Sequence, residues 1–81
     1  MTRNDILAGI AGVLYETVAV DPAQISEESS LATDLEVDSL LVTEVAVALE
    51  AHFSVIIAQA ELDEARLVGD LVDLVEKGLV A

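Results

Sequence analysis

The chain has 81 residues, 54% of them apolar, and sixteen acids against three bases give it a formal net charge of −13. That length supports one modest core and is too short for a deep catalytic cleft, and the periodic apolar content argues against disorder. The absence of cysteine removes any disulfide framework, zinc knuckle or thiol nucleophile, and the scattered bases Arg3, Arg66 and Lys77 cannot form the cationic footprint that a nucleic acid needs.

Thr2, with Asp5 three positions on, has the form of a capping box. Ile6, Ile10, Val13, Leu14, Thr17 and Val18 then recur at helical spacing, which predicts a first helix from Arg3 to about Ala19. Asp21-Pro22 is expected to end it, because the residue before a proline is pushed out of the α region. Pro22 to Val37 reads as a long connection pinned across a helical bundle by Ile25, Leu31 and Leu35. Asp38 is a good N-cap, and the run to about Phe53 contains no glycine or proline, so a second helix is predicted there. At about 100° per residue, Val42, Val45, Ala46, Leu49 and Phe53 share the core face. Leu40, Thr43, Glu44, Val47 and Ala51 share the opposite face, toward solvent. Ser54 to Ala60 is expected to be a connection that drops Ile57 into the core. Glu61 to about Arg66 makes a short third helix with acids in its first turn. Val68, Leu71, Val72 and Val75 mark a last helix, which Lys77 and Gly78 are placed to terminate. No strand pairs emerge, so the expectation is an all-α four-helix bundle with a long first loop and a short third helix, a single domain over residues 1–81.

Ser39 is the residue with the most chemical promise, yet it has no catalytic partner. The only histidine, His52, lies roughly 20 Å away along the same predicted helix, and the Gly-x-Ser-x-Gly elbow of hydrolases is absent. Asp34, Glu36 and Asp38 alternate as a calcium loop begins, but Ser39 stands at its glycine position and Val45 at its bidentate glutamate position. No catalytic residue and no metal ligand are therefore expected. Modification of Ser39 by another protein is compatible with its place at a helix N-terminus, where the dipole favours an anion by about 0.3–1 kcal/mol. That term permits a modification without explaining it, and on the residues alone Ser39 reads as an ordinary first-turn serine.

The triplet Asp38-Ser39-Leu40, preceded by Asp34-Leu35, resembles the modification site of acyl carrier proteins. The likeness extends over Pro22, Ile25, Ser30-Leu31, Glu44, Ala48-Leu49-Glu50, Phe53, Ile57, Val68, Asp70-Leu71 and Val72. It implies that Ser39 receives phosphopantetheine from coenzyme A through a phosphopantetheinyl transferase and carries acyl groups as thioesters. The reactive sulfur then belongs to the arm, in keeping with a chain that lacks cysteine, and the protein is a carrier rather than an enzyme. The resemblance further implies partner recognition at Asp38, Leu40, Glu44 and Val47, three of which the helical periodicity independently places on the solvent face. The partners are acyl-activating, condensing or acyl-transferring enzymes with basic patches. An acyl pocket is implied among Val45, Leu49, Ile57, Val68 and Leu71.

Four positions depart from the family pattern: Glu36 replaces a usual glycine, Leu41 a frequent acid and Ala58 a frequent proline, and Arg66-Leu67 lacks the threonine that caps the last helix. These departures point to a specialised, freestanding carrier in polyketide, lipopeptide or fatty-acid-type biosynthesis. An aminoacyl or peptidyl carrier is an alternative, although its Gly-Gly-x-Ser signature is missing from Leu35-Glu36-Val37-Asp38. An unmodified acidic adaptor for a basic protein is another. The N-terminus lacks the basic flank and apolar block of a signal peptide, and no stretch nears the roughly 18 apolar residues of a membrane span. A cytoplasmic monomer without membrane insertion is the expectation.

Overall fold

A computed structural model describes residues 1–80 as an all-helical chain: α1 (Arg3–Val18), a 3-10 turn (Pro22–Gln24), α2 (Ser39–Phe53), α3 (Gln59–Glu64) and α4 (Val68–Val80). Among the described residues the only β-type pairing is one antiparallel bridge between Ser30 and Leu67. The final residue of the expected domain lies outside this range.

The capping box at the start of α1 is complete. Thr2 Oγ1 accepts the Asp5 N–H at 3.1 Å, and the Asp5 carboxylate accepts the Thr2 N–H at 3.1 Å. The Thr2 backbone N–H first, and then the Thr2 hydroxyl, hold the Asp5 carboxyl below the usual carboxylate range. The helix stops at Val18 for a different reason from the one expected. Ala19 turns left-handed (φ 58°) and its N–H closes onto the Tyr15 carbonyl at 3.0 Å, before the proline can act. Pro22 instead opens the 3-10 turn, where the Asp21 carboxylate accepts the Ala23 N–H.

Ile6, Ile10 and Leu14 of α1, Val45 and Leu49 of α2, and Val68, Leu71, Val72 and Val75 of α4 are completely buried. Each such side chain is worth about 1.5–3 kcal/mol in transfer from water. Helices α1 and α4 approach closely through Arg3, whose guanidinium reaches Asp73 at 2.7 Å and Glu76 at 3.2 Å on α4 and also pairs with Glu27 in the long loop. This company of carboxylates, Glu27 foremost, raises the Arg3 pKa.

The long loop is held as well as spanned. Leu31, Leu35 and Val37 are buried and Ile25 half-buried, so the expected anchors are in place. In addition, the loop backbone pairs with the α3–α4 connection: Leu31 N–H to the Arg66 carbonyl (3.0 Å), Val68 N–H to Ser29 (3.0 Å) and Gly69 N–H to Glu27 (2.9 Å).

The α2–α3 connection corrects the expectation for Ile57. Ser54 is left-handed (φ 56°), and the turn it makes sends Val55 into the core and Ile56 into solvent (88% exposed). Ile57 stays half-buried at the rim, where its N–H is held by the Glu50 carboxylate at 2.9 Å. Helix α3 begins and ends two residues earlier than expected. Arg66 and Leu67 are drawn out of it because their N–H groups both bind the Asp70 carboxylate, at 2.8 and 2.9 Å. Gly78 does not terminate α4, which runs on to Val80. Its function is close approach: a Cβ there would sit 2.8 Å from Val55 Cβ.

Candidate functional site

The N-terminus of α2 is built by the residues just before it. Glu36 takes a left-handed conformation (φ 54°), after which Val37 drops into the core with its N–H on the Leu31 carbonyl at 2.7 Å. Asp38 then lies extended as the N-cap, its carboxylate accepting the Leu41 N–H at 2.8 Å while its carbonyl accepts the Val42 N–H at 2.8 Å. That cap leaves the Ser39 and Leu40 N–H groups without acceptors among the described residues, as expected in a first helical turn. Ser39 itself is exposed, and its hydroxyl has no hydrogen-bond partner among the described residues. His52 is exposed at the far end of α2, edge-on to Phe53 with ring centroids 4.8 Å apart. No imidazole stands near the serine.

Asp38, Leu40, Glu44 and Val47 are all exposed, and the two aliphatics among them keep 69% and 61% of their surface in solvent. Among the described residues no cation pairs with Glu44 or Asp38: Lys77 pairs with Glu61 at 2.8 Å, Arg3 with its three acids, and Arg66 with no carboxylate. The face is both acidic and apolar.

Beside Ser39 lies a cleft of about 310 Å³ between the loop, the start of α2 and α3. Its floor is Leu31, Val37, Val42 and Leu62, and its rim carries Ser30, Asp38, Asp63 and Arg66. None of Val45, Leu49, Ile57, Val68 and Leu71 lines it. Four of those five are completely buried in the closed core, and Ile57 sits at the rim of a separate, smaller depression with Ile56 and Leu74. The cleft was not legible beforehand; Val42 packs against the core as expected and, half-buried, also lines it.

These features fit a phosphodiester-linked arm: an unpartnered exposed hydroxyl, N–H groups beside it free to donate, and a cleft that Ser39 helps to line. Among the described residues no cluster of potential ligands is suited to a metal ion, and no helix is long and apolar enough to cross a membrane.

Comparison with known proteins identifies the class. The family model for the phosphopantetheine attachment site matches residues 5–75. The chain is 38% identical over 77 residues to the meromycolate extension acyl carrier protein of Mycobacterium leprae, covering 95% of this chain and 67% of that one. It is 35% identical to an acyl carrier protein of Acidothermus cellulolyticus, covering 100% of this chain and 96% of the other. The crystal structure of an acyl carrier protein from Thermotoga maritima superposes with a TM-score of 0.85 at 28% identity, covering 96% of this chain and 91% of that one. The chain thus belongs to the acyl carrier proteins, which bear acyl groups on phosphopantetheine and are not themselves catalysts.

Proposed function

We propose that Ser39 is the attachment point and that a phosphopantetheinyl transferase loads it from coenzyme A. The observation that carries this reading is the exposed, unpartnered Ser39 hydroxyl at the start of α2, inside the family match. Once bound, the arm supplies a terminal thiol that holds the acyl group as a thioester. The chain's own part is to keep Ser39 in the open, to leave its neighbouring N–H groups available, and to offer partner enzymes the surface formed by Asp38, Leu40, Glu44 and Val47. Basic patches on acyl-activating, condensing or acyl-transferring enzymes suit that surface by steering and by burial of the two aliphatics.

The cargo belongs to lipid-type biosynthesis on this reading. It is supported by the relatives named for meromycolate extension, and it favours the fatty-acid-type option over the polyketide and lipopeptide ones. An acyl chain too long for the cleft would enter the core between α2 and α4, parting Val45 and Leu49 from Val68 and Leu71 with Ile57 at the edge. On the same reading residues 1–81 act as a carrier domain, monomeric and in the cytoplasm.

Intact mass before and after incubation with coenzyme A and a promiscuous transferase tests the assignment, with Ser39→Ala as control. One phosphopantetheine is expected on the wild type and none on the variant. No addition to folded wild-type protein, under conditions that load another carrier, would overturn it in favour of the unmodified adaptor.

A further inference from the structure

We propose that Arg66 is a positioning residue for the arm: its guanidinium pairs with the phosphodiester on Ser39 and lays the arm along the cleft beside it. The inference rests on Ser39 being the attachment point. Arg66 and Ser39 line the same cleft, and no other cation does. Of the chain's three bases, Arg3 and Lys77 are engaged by carboxylates, whereas Arg66 has no carboxylate partner among the described residues. In a chain with sixteen acids that is unexpected.

The nearby carboxylates each accept N–H donors. Asp38 takes the Leu41 N–H at 2.8 Å, Asp63 takes the Gln59 side chain at 2.8 Å, and Asp70 takes the backbone N–H groups of Arg66 and Leu67. Arg66 spends only Nη1, on the carbonyls of Asp63 (2.8 Å) and Ala65 (3.1 Å) at the end of α3. Those two bonds fix the guanidinium at the rim and leave Nε and Nη2 without partners among the described residues. A planar fork with spare donors is suited to a phosphate's oxygens. The floor of Leu31, Val37, Val42 and Leu62 suits the apolar middle of the arm. At about 310 Å³ the cleft stands at the small end of ligand sites, which run from roughly 300 to 1,000 Å³. It therefore has room for the arm and not for a long acyl chain beside it.

The test compares apo and loaded forms of the wild type, Arg66→Lys and Arg66→Gln. The glutamine retains a hydrogen-bond donor for the α3 carbonyls without the charge, so any structural loss appears in both forms and cancels in the loaded-minus-apo difference. Loading is expected to raise the melting temperature of the wild type by about 1–8 °C, the range for one exposed ion pair in a domain of this size. The gain should persist in part in Arg66→Lys, vanish in Arg66→Gln, and fade in the wild type at about 1 M salt. Phosphorus NMR of the loaded proteins should show the phosphodiester resonance displaced in Arg66→Gln and close to wild type in Arg66→Lys. Equal thermal gains and one shared resonance across the three proteins would overturn the role of Arg66 while leaving the carrier function standing. Failure of all three to load would remove both readings.

Discussion

Glu36 sits in the left-handed region at φ 54°, two positions ahead of the N-cap of α2. The turn it makes is what puts Val37 in the core and Asp38 over the helix end, so the conformation is imposed by packing on both sides. An L-residue there costs about 1–2 kcal/mol relative to glycine's freedom, of which about 0.4–1 kcal/mol is returned through the larger unfolded-state entropy of glycine. Glu36→Gly is thus expected to stabilise the protein by about 0.5–1 kcal/mol, with Glu36→Gln separating the effect of charge. A urea midpoint for Glu36→Gly no higher than that of Glu36→Gln would contradict it. The same residue shows why the turns were hard to read. Among the described residues the left-handed positions are Ala19, Glu36 and Ser54, and none of the glycines has a positive φ. The usual punctuation of helix ends is inverted in this chain, and Gly78, which has the look of a terminator, is a contact residue for Val55.

Helix α4 shows how an element compensates for a missing cap. Leu67 cannot cap it as a threonine would; the Val68 and Gly69 N–H groups go to the Ser29 and Glu27 carbonyls, and the Asp70 carboxylate ties down the Arg66 and Leu67 N–H groups from inside the first turn. Those two bonds, Arg66 first, hold the Asp70 carboxyl below the usual carboxylate range. A depressed carboxyl stabilises the fold above its unfolded pKa and ceases to do so as pH falls through its folded one. Asp70→Ala is accordingly expected to cost about 0.5–2 kcal/mol at pH 7, the range for a lost cap. The gap to wild type should hold to about pH 5 and shrink below about pH 4. A gap that stays constant down to pH 3 would show that Asp70 acts by packing alone. Among the helices, α2 was the most legible, because an aspartate cap precedes an unbroken apolar period. The bounds of α3 were the least, because the bonds that pull Arg66 and Leu67 away from it come from α4 and the long loop.

Across the whole molecule, two of the three cations join elements, Arg3 between α1, the loop and α4 and Lys77 between α3 and α4, while Arg66 bonds only carbonyls at the end of α3. The acid surplus is left to the exterior, α2 included. The bundle and its buried stripes were legible because one period governs each helix. The cleft was not, because it assembles parts of the loop, α2 and α3 that share no period. The hydrogen bonds that join Glu27, Ser29 and Leu31 to residues 66–69 also bear on how the chain folds. All of α2 and α3 lies between the two sides of that seam, so closing it demands a large loss of chain entropy before any bond is gained. The seam is expected to form after the rate-limiting step. Leu31→Ala should speed unfolding and leave refolding almost unchanged in stopped-flow kinetics, whereas a slowed refolding limb would place the seam in the nucleus. A seam that closes last is also the first to yield, so the wall of the cleft beside Ser39 can part while the α1–α4 core stays intact.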